Sequence, residues 1–122
     1  MKKVLIVDDN RVNRKLLLEI LRKMDVEILE VENGVEALDI CDLNPDISLV
    51  LMDINMPIMS GVESAILIKN SHPNISIISM TAYQAFGKIE EEDKKYFSEF
   101  ITKPFTLDCI KDTVKKYCFS EN

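Results

Sequence analysis

A chain of 122 residues that is 47% hydrophobic can bury one proper core and leaves no room for a second domain. Its formal net charge of −6 argues against a direct nucleic-acid interface, which needs a basic face, and no apolar stretch reaches the roughly 20 residues that span a bilayer. The three cysteines, Cys41, Cys109 and Cys118, are odd in number and lack metal-ligand spacing; with no signal peptide ahead of them, they read as reduced thiols of a soluble, cytoplasmic protein.

In chain order, the apolar run Val4 to Val7 reads as a first strand and ends on Asp8 and Asp9. Asn10 or Asn13 caps the helix that follows, and Val12, Leu16, Ile20 and Met24, flanked by Leu17 and Leu21, give it one apolar face toward the sheet. Glu27 to Val31 mixes acidic and apolar residues as a half-buried edge strand does. Asn33-Gly34 turns the chain into a second helix carrying Val35, Ala37, Leu38 and Cys41, which Asn44-Pro45-Asp46 ends. The run beginning at Leu49 has no polar alternation, which suits a strand buried on both faces, and it stops at Asp53. Pro57 and Gly61 close a loop before a third helix with Val62, Ala65, Ile66 and the stem of Lys69 on its inner side. Ser71-His72-Pro73-Asn74 breaks that helix and leaves His72 in an exposed loop. Ile75 to Met80 is a fourth strand that closes on Thr81 and Ala82. Tyr83 to Tyr96 reads as a less regular helix with Phe86, Ile89 and Phe97 on its apolar side, ending without a glycine cap. Phe100 to Thr102 is the fifth strand, Pro104 stops it at Lys103, and Leu107, Ile110, Val114 and Tyr117 mark a last helix. Five strands alternating with five helices predict an α/β fold, a doubly wound parallel sheet with right-handed crossovers.

In such a sheet ligands bind beyond the carboxyl ends of the strands, where this pattern puts Asp8, Asp9 and Asp53. A single Asp at a strand end most often caps a turn. Three carboxylates drawn together are costly unless a cation neutralises them, because like charges at close range push one another's pKa values up. The cluster therefore implies a bound metal ion.

The motifs DD, D, T and KP, at Asp8-Asp9, Asp53, Thr81 and Lys103-Pro104, each close an apolar run in that order. On these the chain resembles, over essentially its whole length, the CheY-like receiver domain of two-component response regulators. The resemblance implies a flavodoxin-like sheet in the order 2-1-3-4-5, for which receiver proteins and flavodoxin are the standard examples, and a single receiver domain over residues 1–122 with no output domain. It implies that Asp53, a carboxylate able to attack phosphorus, takes a phosphoryl group from a histidine kinase or histidine phosphotransfer protein and holds it as an aspartyl phosphate. It implies Mg²⁺ as cofactor, bound directly by Asp9 and Asp53, through water by Asp8, and by the backbone carbonyl of Asn55. Lys103 would pair with phosphoryl oxygens and Thr81 would donate its hydroxyl to one of them. Phe100 stands where the family carries a switch aromatic, coupling the site to a downstream protein partner on the face of the fourth helix, fifth strand and last helix. Tyr83 stands where it would shield the phosphoryl group from water, so the chain would be a slowly self-dephosphorylating phosphoacceptor rather than a turnover enzyme. The phrases DDNRVNRKLL and LMDINMP look like receivers attached to hybrid sensor kinases, which leaves a receiver excised from such a kinase as an alternative. An Asp-nucleophile, Mg²⁺-dependent phosphatase of the haloacid-dehalogenase type would need a second Asp where this chain has Asn55. A flavodoxin-like FMN binder would need a phosphate-cradling loop where it has Asp8 and Asp9.

Overall fold

The computed structural model describes residues 1–82 and 89–119. Strand β1 (Lys2–Val7) is followed by α1 (Arg11–Leu21), β2 (Val26–Val31), α2 (Gly34–Leu43), β3 (Ile47–Asp53), α3 (Gly61–Ser71) and β4 (Ser76–Ala82). A short 3-10 helix, α4 (Glu91–Tyr96), then leads to β5 (Glu99–Lys103) and to α5 (Leu107–Val114), whose last turn widens into a π-helix over Lys115–Phe119. The five strands pair in parallel, in the order β2-β1-β3-β4-β5. The sheet order expected from the sequence is the observed one.

The apolar runs are unbroken because both faces of the sheet are covered. Alternate residues of a strand point to opposite sides. Val4 and Ile6 accordingly meet Leu17, Ile20 and Leu21 of α1 and Ile110 and Val114 of α5, whereas Leu5 and Val7 meet Ala37 and Cys41 of α2 and Ala65 and Ile68 of α3. Each fully buried Leu or Ile contributes about 1.5–3 kcal/mol. Among the described residues no helix is long and apolar enough to cross a membrane.

Four helices begin on side-chain caps a few residues past a strand, which fixes where each strand end opens to solvent. Asn10 Oδ1 accepts from the Asn13 N–H at 3.0 Å, Asn33 Oδ1 from Glu36 at 2.9 Å, Ser60 Oγ from Glu63 at 3.2 Å and Thr106 Oγ1 from Cys109 at 3.1 Å.

Several side chains fall elsewhere than the sequence pattern predicts. Val12 and Leu16 are 74% and 51% exposed rather than packed on the sheet. The stripe is set by Leu17, Ile20 and Leu21, and at about 100° per residue it takes in Arg14 in place of Val12. Val35 and Leu107 also face outward, at 39% and 47% exposure. His72 is not an exposed loop residue: it ends α3, and its Nε2 lies 2.7 Å from Asp42 Oδ1 at the end of α2. Among the described residues the fourth helix is the 3-10 helix α4, and Phe97 at its end is extended (φ −110°, ψ 137°), so no glycine is needed there. Tyr83 and Phe86 lie outside the described residues.

Candidate functional site

Strands β1 and β3 are neighbours, so their carboxyl ends carry Asp8, Asp9 and Asp53 to one place despite more than forty intervening residues. One carboxylate oxygen from each lies within 4.8 Å of the others. Asp8 and Asp53 are buried and Asp9 is exposed, so the cluster has an inner wall and an open side.

Lys103 arrives from the end of β5, across β4. Its Nζ donates to Asp8 Oδ2 at 3.1 Å and to Asp53 Oδ1 at 3.4 Å, placing one ammonium against two buried carboxylates. The bond joining Lys103 to Pro104 is cis. Asp8 is further fixed by the Asn10 N–H, which donates to Oδ1 at 2.8 Å, so both of its oxygens are engaged. The Asn55 N–H donates to Asp53 Oδ1 at 3.4 Å.

Burial pushes the Asp53 carboxyl up from 3.8 to about 6; Lys103 pulls it back down and Asp8 adds to the rise. Desolvation thus outweighs the attraction of the Lys103 ammonium. Four groups carrying three negative charges and one positive leave an excess that a hard cation with oxygen ligands would offset. The donor set, carboxylates with no sulfur or imidazole, is of the type that suits Mg²⁺.

Gly61 sets how closely the next helix approaches. A Cβ there would collide with the Asp53 carbonyl oxygen and lie 2.8 Å from the Ile54 Cα, while the Gly61 N–H donates to the Ile54 carbonyl at 3.0 Å. The loop 54–60 is therefore tied at its base directly after Asp53.

Thr81 is the sixth residue of β4 and is 1% exposed, and its Oγ1 has no hydrogen-bond partner among the described residues. Phe100 lies in β5, half-buried against the core layer on the α2 and α3 side, its ring centroid 5.5 Å from that of Phe97. Every candidate site residue named from the sequence except Tyr83 is thus among the described residues, and Asp8, Asp9, Asp53 and Lys103 come together.

Two site residues were not singled out. Arg14 donates through Nη1 to the Asp8 carbonyl at 2.7 Å and pairs with Glu30 and Glu32, each at 3.3 Å, bracing the loop that presents Asp8 and Asp9. The signal was its position three residues before Leu17, on the helix stripe. Ser79, two residues before Thr81 on the same face of β4, likewise buries a hydroxyl without a partner among the described residues, and a serine inside IISMTA could have been flagged as polar in a core strand.

A family model for the response regulator receiver domain matches residues 4–115. Sporulation initiation phosphotransferase F of Bacillus subtilis (strain 168) is 40% identical over 117 residues, covering 95% of this chain and 93% of that protein. The response regulator protein TrrA of Thermotoga maritima, solved in complex with Mg²⁺-BeF, aligns with a TM-score of 0.86 at 37% identity, over 96% of this chain and 99% of that one. The receiver domain of Ssk1 from Saccharomyces cerevisiae, solved with the histidine phosphotransfer protein Ypd1, aligns with a TM-score of 0.83 at 25% identity, over 95% and 88% of the two chains.

Proposed function

The chain belongs to the response regulator receiver domain family, and on that premise we propose that Asp53 is the phosphoacceptor through which it works as a receiver in a two-component or phosphorelay system. The observation that carries the assignment is the convergence of Asp8, Asp9 and Asp53 within 4.8 Å, with Lys103 Nζ bridging the two buried members.

In the transfer, a lone pair of an Asp53 carboxylate oxygen attacks the phosphorus of a phosphohistidine. The P–N bond breaks, its electron pair returns to the imidazole, which takes a proton from solvent, and a P–O bond forms on Asp53. Mg²⁺, when bound, supplies the positive charge that lets an anionic phosphoryl group enter an anionic pocket. Asp9 and Asp53 would hold it directly together with the Asn55 carbonyl, and Asp8, whose oxygens are already engaged by Asn10 and Lys103, would act through water. Lys103 exchanges its carboxylate contacts for the phosphoryl oxygens, a charge-assisted bond that travels with the group. Thr81 brings a buried donor, unpartnered among the described residues, that such an oxygen would satisfy.

The phosphodonor is a histidine kinase or a histidine phosphotransfer protein. The downstream protein partner docks on the α4, β5 and α5 face, which Phe100 joins to the site through its neighbours in β4. The domain assignment, one receiver over residues 1–122, goes with this reading.

The test is phosphotransfer. With Mg²⁺ and a phosphohistidine protein or acetyl phosphate as donor, one equivalent of base-labile label is expected on the wild-type chain and none on Asp53→Asn. Label that survives base, or persists in Asp53→Asn, sinks the assignment.

A further inference from the structure

The amino end of the sheet, at the far end of the strands from Asp53, carries positive charge that the fold does not use. Lys2 opens β1, Lys23 follows the C-cap of α1, and Lys111 and the C-cap residue Lys115 stand four residues apart at the end of α5. None of the four makes a hydrogen bond or ion pair with a described residue, whereas Lys3, Lys69, Lys94, Lys103 and Lys116 all have such partners. Lys111 and Lys115, at i and i+4, form a like-charge pair that weakens the helix rather than supporting it. Four cations left without a partner in a chain of net charge −6 have their use outside it.

They surround a cleft. Lys23, Lys111 and Lys115 line an open cavity of about 280 Å³ with Met24, Asp25 and Phe119, and a second of about 430 Å³ continues past Asp25 and Phe119 to Lys2. Met24 packs on the core and gives the first cavity an apolar floor. Phe119 is 44% exposed although the residues before it are pinned: Cys118 is buried, and the Tyr117 hydroxyl donates to Glu99 Oε2 at 2.6 Å. The segment that carries the ring, Lys115–Phe119, is a π-helix, a rare geometry found mostly at functional sites. A firmly held segment therefore presents an exposed aromatic ring at the junction of the two cavities.

The chemistry of the lining selects the occupant. Three ammonium groups around one opening match more than one negative charge, and phosphate oxygens meet them through charge-assisted hydrogen bonds. An exposed ring face takes another flat ring by stacking. Asp25 repels an anion but accepts hydrogen bonds from hydroxyl or amino groups, so it suits the uncharged part of the ligand. A fatty acid would use one ammonium and leave Asp25 unmatched, and inorganic phosphate would leave Phe119 unused. We propose that this cleft binds a nucleoside di- or triphosphate, with its phosphates on Lys23, Lys111 and Lys115, its base on Phe119 and its hydroxyl or amino groups toward Asp25. The site shares no residue with the carboxylate cluster and does not depend on the assignment of Asp53.

The test is calorimetric titration of the whole chain with ADP, ATP, GDP and GTP in EDTA, which keeps metal ions away from Asp8, Asp9 and Asp53, with amide shifts followed in parallel. At least one of the four is expected to bind with a Kd below about 1 mM, shifting the amides of Met24, Lys111, Lys115 and Phe119 and leaving Asp53 still. Lys111→Gln combined with Lys115→Gln should weaken that nucleotide roughly tenfold or more. Phe119→Leu should weaken it roughly fivefold or more while holding the affinity for inorganic pyrophosphate within about twofold, and Phe119→Tyr should restore it. Absence of binding by all four, shifts centred on Asp8, Asp9 and Asp53, or full affinity in the lysine double variant overturns the site. Pyrophosphate binding as tightly as any nucleotide, or full nucleotide affinity in Phe119→Leu, reduces the cleft to a charged patch and overturns the nucleotide assignment. None of these results bears on whether Asp53 takes the phosphoryl label, which is read separately.

Discussion

Replacing Asp53 by Asn should make the metal-free protein more stable, by an amount that grows with pH. The folded chain holds this carboxyl at about 6 against an ordinary 3.8, chiefly by burial. A group bound more tightly to its proton when folded contributes stability that is lost as pH rises, so ionised Asp53 destabilises the native state at neutrality. The shift of roughly 2 units corresponds to about 3 kcal/mol, fully expressed above about pH 6 and absent well below pH 3.8. Asn is nearly isosteric with the protonated acid and carries no charge. The stability gap between Asp53→Asn and wild type should therefore be about 1 kcal/mol at pH 4.5 and about 3 kcal/mol at pH 7.5, read from urea unfolding in EDTA. Mg²⁺ should then close the gap, because a ligand at 100 times its Kd adds about 2.7 kcal/mol to the form that binds it and a carboxamide is a poorer ligand than the carboxylate it replaces. A gap that is flat between the two pH values, or an Asp53→Asn variant less stable at pH 7.5, would refute burial as the dominant cause.

Three further outcomes follow from the geometry. Gly61→Ala forces a Cβ against the backbone of Asp53 and Ile54, so it should cost about 3 kcal/mol by urea unfolding; a wild-type midpoint would mean that α3 can slide away freely. Lys103→Ala removes the cation that lowers the Asp53 pKa, so an NMR titration should find that carboxyl above its wild-type value, and a fall would contradict the bridging role. With Mg²⁺ and beryllofluoride, amide shifts should change at Thr81 and Phe100 and extend to Ile101 and Leu107; a response confined to Asp8, Asp9 and Asp53 would describe a phosphoryl relay without a coupled face.

What could be read in the sequence was whatever depends on strand ends. Asp8, Asp9, Asp53 and Lys103 each close an apolar run, and once the strand order is 2-1-3-4-5 their convergence follows from topology, with no need to foresee a side-chain angle. Helix faces were read less well. Val12 and Leu16 share the four-residue spacing of Ile20, but spacing alone does not say which edge of an apolar arc meets the sheet, and burial of Arg14 against Asp8, Glu30 and Glu32 turned α1 the other way. His72 was hidden for a related reason: its partner Asp42 is thirty residues away and the two meet only because α2 and α3 pack side by side. The positive φ of Ile58, 73°, carries no sequence signal at all, since β-branched residues are ordinary in a loop until the backbone angle is known.

The two β4 hydroxyls that have no partner among the described residues bear on how the site signals. A buried polar group without a partner costs about 1–3 kcal/mol, and Ser79 and Thr81 stand two residues apart on one face of a central strand. Thr81 pairs in register with Thr102 and Ser79 with Phe100, so the two hydroxyls lie beside the part of β5 that carries the aromatic residue. A phosphoryl oxygen offered to Thr81 relieves one of these costs, whereas Ser79 gains nothing from it directly. The energy available to move β4 is therefore concentrated at Thr81, next to Asp53, while Ser79 supplies only a small side chain beside Phe100. A small neighbour leaves room for the ring of Phe100 to pack against Phe97 without waiting for Thr81 to vacate space. The ring should consequently shift less on phosphorylation than the hydroxyl that triggers the change, and the output face would respond through the backbone of β5 more than through a swing of its aromatic side chain.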